Sequence, residues 1–230
     1  MKSISKLAVG ILFAAVAGIA SAAPVNLVSN GSFESGLAGW TIGGTDNQGY
    51  PPVAIFHNTA AGYPTGAFGE AIPVNNAPTN SPDAAGQRAA YFVSDLTVNQ
   101  SLSQQISITD AGLYQIGFSA YAPANGYANF YDATFAGVIA TVQLANYAVS
   151  TGPVTTWQTF AGSAALTAGN YLVEFVFNTS GYPAKDVVID QVYVIAGNPP
   201  TEVPEPGSLA LLGLGLAGLA AASRRKQKQA

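Results

Sequence analysis

Ser101-Leu-Ser-Gln-Gln-Ile-Ser-Ile-Thr-Asp-Ala-Gly-Leu-Tyr-Gln-Ile-Gly-Phe-Ser-Ala-Tyr121 decides the fold class. In its first part Leu102, Gln104, Ile106 and Ile108 alternate with Ser101, Ser103, Gln105 and Ser107. In its last part Tyr114, Ile116, Phe118 and Ala120 alternate with Gln115, Gly117, Ser119 and Tyr121. Successive side chains of a strand point to opposite faces, so a period of two marks a half-buried strand. Thr109-Asp-Ala-Gly112 between the two runs reads as a turn, and the pair is predicted to form a hairpin.

The same period recurs outward. Tyr171, Val173, Phe175 and Phe177 point one way, Glu174 and Asn178 the other. Further strands are predicted at Val25–Val28, Val53–Phe56, Ala89–Val93, Thr134–Leu144 (interrupted near Gly137), Thr156–Phe160 and Val187–Ile195. No segment between residues 23 and 198 sustains a 3.6-residue apolar period. About nine short strands without helices predict an all-β sandwich. Two stretches resist assignment. His57–Gln87 contains Pro64, Pro73, Pro78 and Pro82 among many Gly and Asn residues, too long for an ordinary connection and of the kind that is functional or mobile. Pro123–Asp132 is shorter and carries Tyr127, Phe130 and Tyr131.

The two ends read as targeting segments. Lys2 and Lys6 precede the apolar stretch Leu7–Ile19 and the small residues Ala20-Ser-Ala22. That order is a signal peptide over 1–22, with cleavage expected after Ala22; an uncleaved anchor is the alternative. The folded domain is expected over 23–198, followed by a proline-stiffened linker at 199–203 and a tail over 204–230. In the tail Pro204-Glu-Pro206 is followed by the apolar run Leu209–Ala222 and the cations Arg224, Arg225, Lys226 and Lys228. The 14-residue run makes a helix of about 21 Å, short of the ~20 residues that span a bilayer comfortably. The four cations supply the missing signal: they stay on the cytoplasmic side, stop transfer and leave everything upstream outside.

Charge and residue usage exclude several functions. Only Arg88 and Lys185 remain as cations between the targeting segments, against ten acids from Glu34 to Asp190, a balance of −8. An acidic surface repels phosphate backbones, so nucleic acid is not a partner. There is no cysteine, and an exported chain without disulfides must rest on its core, for which this one is long enough. His57 is the single histidine. A Ser–His–Asp triad would have to use it, yet no Gly-x-Ser-x-Gly elbow accompanies it. Zinc hydrolases need several His or Cys ligands, and no phosphate-cradling glycine loop is present. A glycoside hydrolase needs only two carboxylates; ten acids permit that remote alternative without singling out a pair. The expectation is a protein that is not an enzyme.

The tail resembles the PEP-CTERM sorting signal of certain Gram-negative bacteria through Pro204-Glu205-Pro206, the Gly/Ala/Leu-rich run and the basic end. That resemblance implies export through the Sec machinery and transient tethering at the inner membrane by a C-terminal transmembrane helix. It further implies processing by an exosortase, and arrival at the cell surface or in an extracellular, exopolysaccharide-rich biofilm matrix. An ordinary permanent membrane anchor is the alternative.

The domain begins Asn26-Leu-Val-Ser-Asn-Gly-Ser-Phe-Glu34, then Gly39-Trp40, and ends Asp186-Val-Val-Ile-Asp-Gln-Val-Tyr-Val194. These ends resemble those of jelly-roll carbohydrate-binding and galactose-binding-like modules, which implies a jelly roll and a structural calcium. By position the calcium carboxylates would be Glu34 and Asp190, with carbonyls near Ser29–Gly31. Independently, strict alternation places Asp190 on one face with Val188, Val192 and Val194, where a carboxylate is costly unless paired or bound to a cation. The plain alternatives are a hydrogen bond to a neighbouring turn or an ion pair with Lys185 for Asp190, and a solvated turn residue for Glu34. Trp40 and Trp157 are expected in the core, as the resembled modules imply. If a sugar binds, the candidates are the loop tyrosines Tyr50, Tyr63, Tyr121, Tyr127 and Tyr131, which join an apolar ring to a hydroxyl; packing of their own loops is the alternative. The rival to carbohydrate binding is a purely structural or adhesive matrix protein.

Overall fold

In the computed structural model the described residues are 24–44, 51–56, 73, 75–92, 98–123, 133–149, 152, 155–179 and 186–197. The expected signal peptide, linker and tail lie outside them. Ala23–Asn198 forms one compact unit. The described residues hold ten strands and no α-helix: β1 (Thr41–Gly43), β2 (Val53–Phe56), β3 (Arg88–Phe92), β4 (Val98–Ile108), β5 (Gly112–Tyr121), β6 (Ala133–Ile139), β7 (Val142–Ala148), β8 (Gln158–Leu166), β9 (Gly169–Thr179) and β10 (Val187–Ala196). They build two antiparallel five-stranded sheets, ordered β1-β4-β9-β6-β7 and β2-β3-β10-β5-β8. The chain is a jelly-roll β-sandwich.

The alternation read from the sequence sets the inner faces. Leu102, Ile106 and Ile108 from β4, Ile116, Phe118 and Ala120 from β5, and Val173, Phe175 and Phe177 from β9 are all buried in one cluster. The predicted hairpin does not form, because β4 lies between β1 and β9 while β5 lies between β10 and β8 in the other sheet. The turn at 109–111 therefore crosses between the layers. Periodicity reports which face of a strand is buried; it says nothing about which strand lies beside it.

Other predicted elements shift for local reasons. Thr134–Leu144 breaks at Ala140 and Thr141, both with positive φ, whereas Gly137 sits within β6 at a register shift. A Cβ on Gly137 would stand 2.8 Å from the Phe118 ring, so the glycine is there to admit that ring. Val25–Val28 is no strand. Its role passes to the Asn26 side chain, whose Oδ1 accepts from Val194 N (3.0 Å) and whose Nδ2 donates to Val192 O (2.9 Å). Asn26 thus staples the N-terminal segment to β10. Gly31 completes that contact: its carbonyl accepts from Val192 N, and a Cβ there would collide with the Val192 carbonyl.

The core is aromatic at its centre. Phe118 lies 4.9 Å from Phe175 edge to face, 5.1 Å from Phe160 stacked and 6.1 Å from Phe135. Since β5 and β8 belong to one sheet and β6 and β9 to the other, this ring cluster ties the layers together. Trp40 is buried beside Phe33 and Phe175 and donates its indole N–H to Asn30 O, as expected for a core tryptophan. The buried amide of Gln104 is fully used by Ser29 and Gly39 backbone groups, which makes its place on an apolar face tolerable.

Tyr147 is different. Its ring stacks on Phe160 at 5.6 Å, but its buried hydroxyl has no hydrogen-bond partner. Burial pushes its phenol well above the ordinary value of 10.0. The folded protein therefore keeps the proton while the unfolded chain gives it up above 10.0. This contribution to stability is complete below that pH and is lost as pH rises further. Tyr147→Phe is expected to stabilise at neutral pH by about 1 kcal/mol, because an unsatisfied buried hydroxyl disappears. It should also flatten the alkaline fall in melting temperature relative to the parent. Thermal scans from pH 7 to pH 11 check both.

Candidate functional site: a cleft on the outer face of the second sheet

The second half of the long unassigned loop, residues 75–87, is a strap fastened across the outer face of the second sheet. At the β8 edge Trp157 Nε1 donates to Asn75 O at 2.8 Å. Next, Ser119 Oγ from β5 donates to Pro78 O, and Thr159 from β8 also reaches that carbonyl. Further on, Gln191 Nε2 from β10 donates to the carbonyls of Ala84 and Ala85, each at 3.1 Å. Asn26 Nδ2 donates to Asp83 Oδ2 (2.7 Å), and Glu34 Oε1 accepts from Gln87 N and Arg88 N (2.7 Å each). A small second cluster of Ile55, Ala89, Tyr91 and Val188 is buried, with Val53, Tyr121 and Trp157 packed against it.

Where the strap meets the β5–β8 edge it leaves a cleft of about 360 Å³, lined by Pro73, Asn75, Asn76, Pro78, Tyr121, Thr155, Thr156 and Trp157. Its two rings come from register. β5 and β8 pair Ala120 with Gln158 and Ser119 with Thr159, so the next residues, Tyr121 and Trp157, face each other with ring centroids 5.5 Å apart and planes at 56°. Both point outward because they continue the outward series of their strands. Thr155, held at positive φ, is pinned by its N–H to Ala122 O at 2.8 Å. Burial raises the Tyr121 phenol above its ordinary value, so it remains a neutral donor and acceptor.

The structure corrects one expectation here. Trp157 is not a core residue but half-buried on the outer face, against Tyr121 and the strap. The strand pattern around it was legible; the strap that makes an outward tryptophan useful was not. Of the candidate tyrosines, Tyr121 lines the cleft, while Tyr50, Tyr63, Tyr127 and Tyr131 lie outside the described residues.

A second correction concerns β10. Gln191 adopts a positive φ of 56° and the pairing with β5 shifts between Asp190 and Tyr193. This bulge returns Val192 and Val194 to the core and leaves Asp190 with Val188 on the outer side. A bulge adds one residue to one strand, so it breaks the strict alternation that grouped these four. Asp190 is fully buried; its Oδ1 accepts from Gln191 N at 2.6 Å. Beside it the buried Gln191 Oε1 has no hydrogen-bond partner. Glu34 and Asp190 sit at separate fastenings of the strap, the first at residues 87–88, the second beside the residue that grips 84–85. Among the described residues no group of three or more His, Cys, Asp or Glu side chains could hold a metal.

Residues 202–226 match the PEP-CTERM protein-sorting motif. The chain therefore carries the signal of an exported protein, anchored at a membrane by its C-terminus before exosortase processing. Pro204, Glu205, Pro206, Arg224, Arg225 and Lys226 fall within that match and Lys228 just beyond it; all lie outside the described residues. No curated protein matches the sequence. Among solved structures the chain is similar to a family 61 carbohydrate-binding module in complex with β-1,4-galactotriose (16% identity over 75% of this chain and 99% of that one, TM-score 0.43). It is also similar to a family 16 module (16%, 74% and 99%, TM-score 0.41) and a family 4 module (16%, 73% and 98%, TM-score 0.37).

Proposed function

We propose that this chain is a non-catalytic, exported carbohydrate-binding protein of the cell surface or exopolysaccharide matrix, and that the sugar sits against Tyr121 and Trp157. One observation carries the proposal: a cross-strand aromatic pair exposed in a cleft whose rim is amide and hydroxyl. A pyranose ring has an apolar C–H face and a belt of hydroxyls; the rings match the first, and Asn75, Asn76, Thr155 and Thr156 match the second. The hydrogen bond from Trp157 to the strap holds the indole before any ligand arrives, which lowers the ordering cost of binding. A glycan array probed with the full chain in a sugar-free detergent tests this. Binding of any polysaccharide supports it, and silence across neutral and acidic glycans would favour a purely structural or adhesive matrix protein.

Calcium belongs to the same proposal. Of the expected ligands, the buried carboxylate of Asp190 and the unpartnered Oε1 of Gln191 beside it are hard oxygen donors suited to that ion, whereas Glu34 is engaged at the separate fastening of residues 87–88. Bound beside Asp190, the ion would fasten the strap to β10. Dialysis of the full chain against a chelator is expected to lower the melting temperature by roughly 5–10 °C, the effect of losing a ligand present at about 100 times its Kd. An unchanged midpoint would remove calcium from the proposal.

A further inference from the structure

We infer that the cleft selects neutral sugar units and rejects uronate, sulfated or phosphorylated ones. The inference rests on the reading of the cleft as a sugar site and adds the chemical class of its ligand. Among the described residues none that lines the cleft is charged: Pro73, Asn75, Asn76, Pro78, Tyr121, Thr155, Thr156 and Trp157. A carboxylate brought against the two rings would lose water and find no cation among the described lining residues to replace it, a net cost unless the group stays outside.

The rest of the domain deepens that rejection. Among the described residues the one Lys or Arg is Arg88, whose guanidinium lies 3.9 Å from the centroid of the Phe56 ring. Phe56 is on the edge strand β2, and β3, β10 and β5 separate β2 from β8 in the sheet. The only other cation of the domain is Lys185, against ten acids. An anionic polymer therefore meets repulsion on approach as well as a desolvation cost on arrival. Shape narrows the ligand further. Two rings at 56° form a corner, which takes a single unit or a chain end instead of the flat face of a crystalline polymer.

The charge term can be isolated with one ligand pair, tri-galacturonic acid and its fully methyl-esterified form, alongside β-1,4-galactotriose. Calorimetry on the full chain in a sugar-free detergent, parent and Trp157→Ala, is the measurement. The expected result is that the ester and the neutral trisaccharide bind at least tenfold more tightly than the acid, and that Trp157→Ala weakens this binding by roughly 30-fold. An acid that binds as tightly as its ester, and loses that binding in Trp157→Ala, would overturn neutral selectivity while leaving the cleft as the sugar site. If Trp157→Ala changes nothing, or no member of the panel binds, the sugar-site reading itself fails and this inference with it.

Discussion

Trp157→Ala is expected to weaken glycan binding by roughly 30-fold while leaving the fold in place. A central aromatic anchor is worth about 2 kcal/mol or more when truncated, and every 1.4 kcal/mol is about tenfold in Kd. Trp157 fits that description: it is only half-buried in the free protein, its ring faces Tyr121, and its N–H is already committed to Asn75 O. The cost to stability should be small, about 1 kcal/mol, since the side chain rests on the outer cluster and not in the main core. Trp40→Ala supplies the contrast. Trp40 is packed inside the sandwich between Phe33 and Phe175, so its loss should cost about 3–5 kcal/mol of stability. Melting temperature and glycan affinity, measured on both variants, separate the two roles. Equal affinity in parent and Trp157→Ala would place any sugar elsewhere.

Phe118→Ala is expected to destabilise the domain by about 3–5 kcal/mol, a lowering of the melting temperature of roughly 6–20 °C for a chain of this size. The position explains the size of the effect. Phe118 is fully buried and touches rings from both sheets, and Gly137 leaves no side chain that could swing in to refill the space. Domains of this kind have about 5–15 kcal/mol in total, and with no cysteine in the sequence no disulfide reinforces the contact between the sheets. Phe118→Leu should recover much of the loss by restoring volume, which far-UV circular dichroism melts would show. A melting temperature for Phe118→Ala within 2 °C of the parent would mean that the sheets are held by something other than the ring cluster.

The sequence by itself determined much of what depends on neighbours along the chain. Period two identified the buried sets on β4, β5 and β9, because residue spacing alone decides which face a side chain takes. The order of motif, apolar run and cations in the tail identified the sorting signal, because that signal is read as a linear string. Tertiary structure alone decided what depends on distant partners. It put β4 and β5 in opposite sheets, moved Asp190 to the outer face through a bulge with no glycine to announce it, and laid residues 75–87 over the second sheet. Only that strap turns Trp157 from a presumed core residue into one wall of a cleft, since the hydrogen bond that orients it spans 82 positions. Local propensity is encoded within a few residues, whereas a site made by a loop crossing three strands exists only once the sheet beneath it has formed.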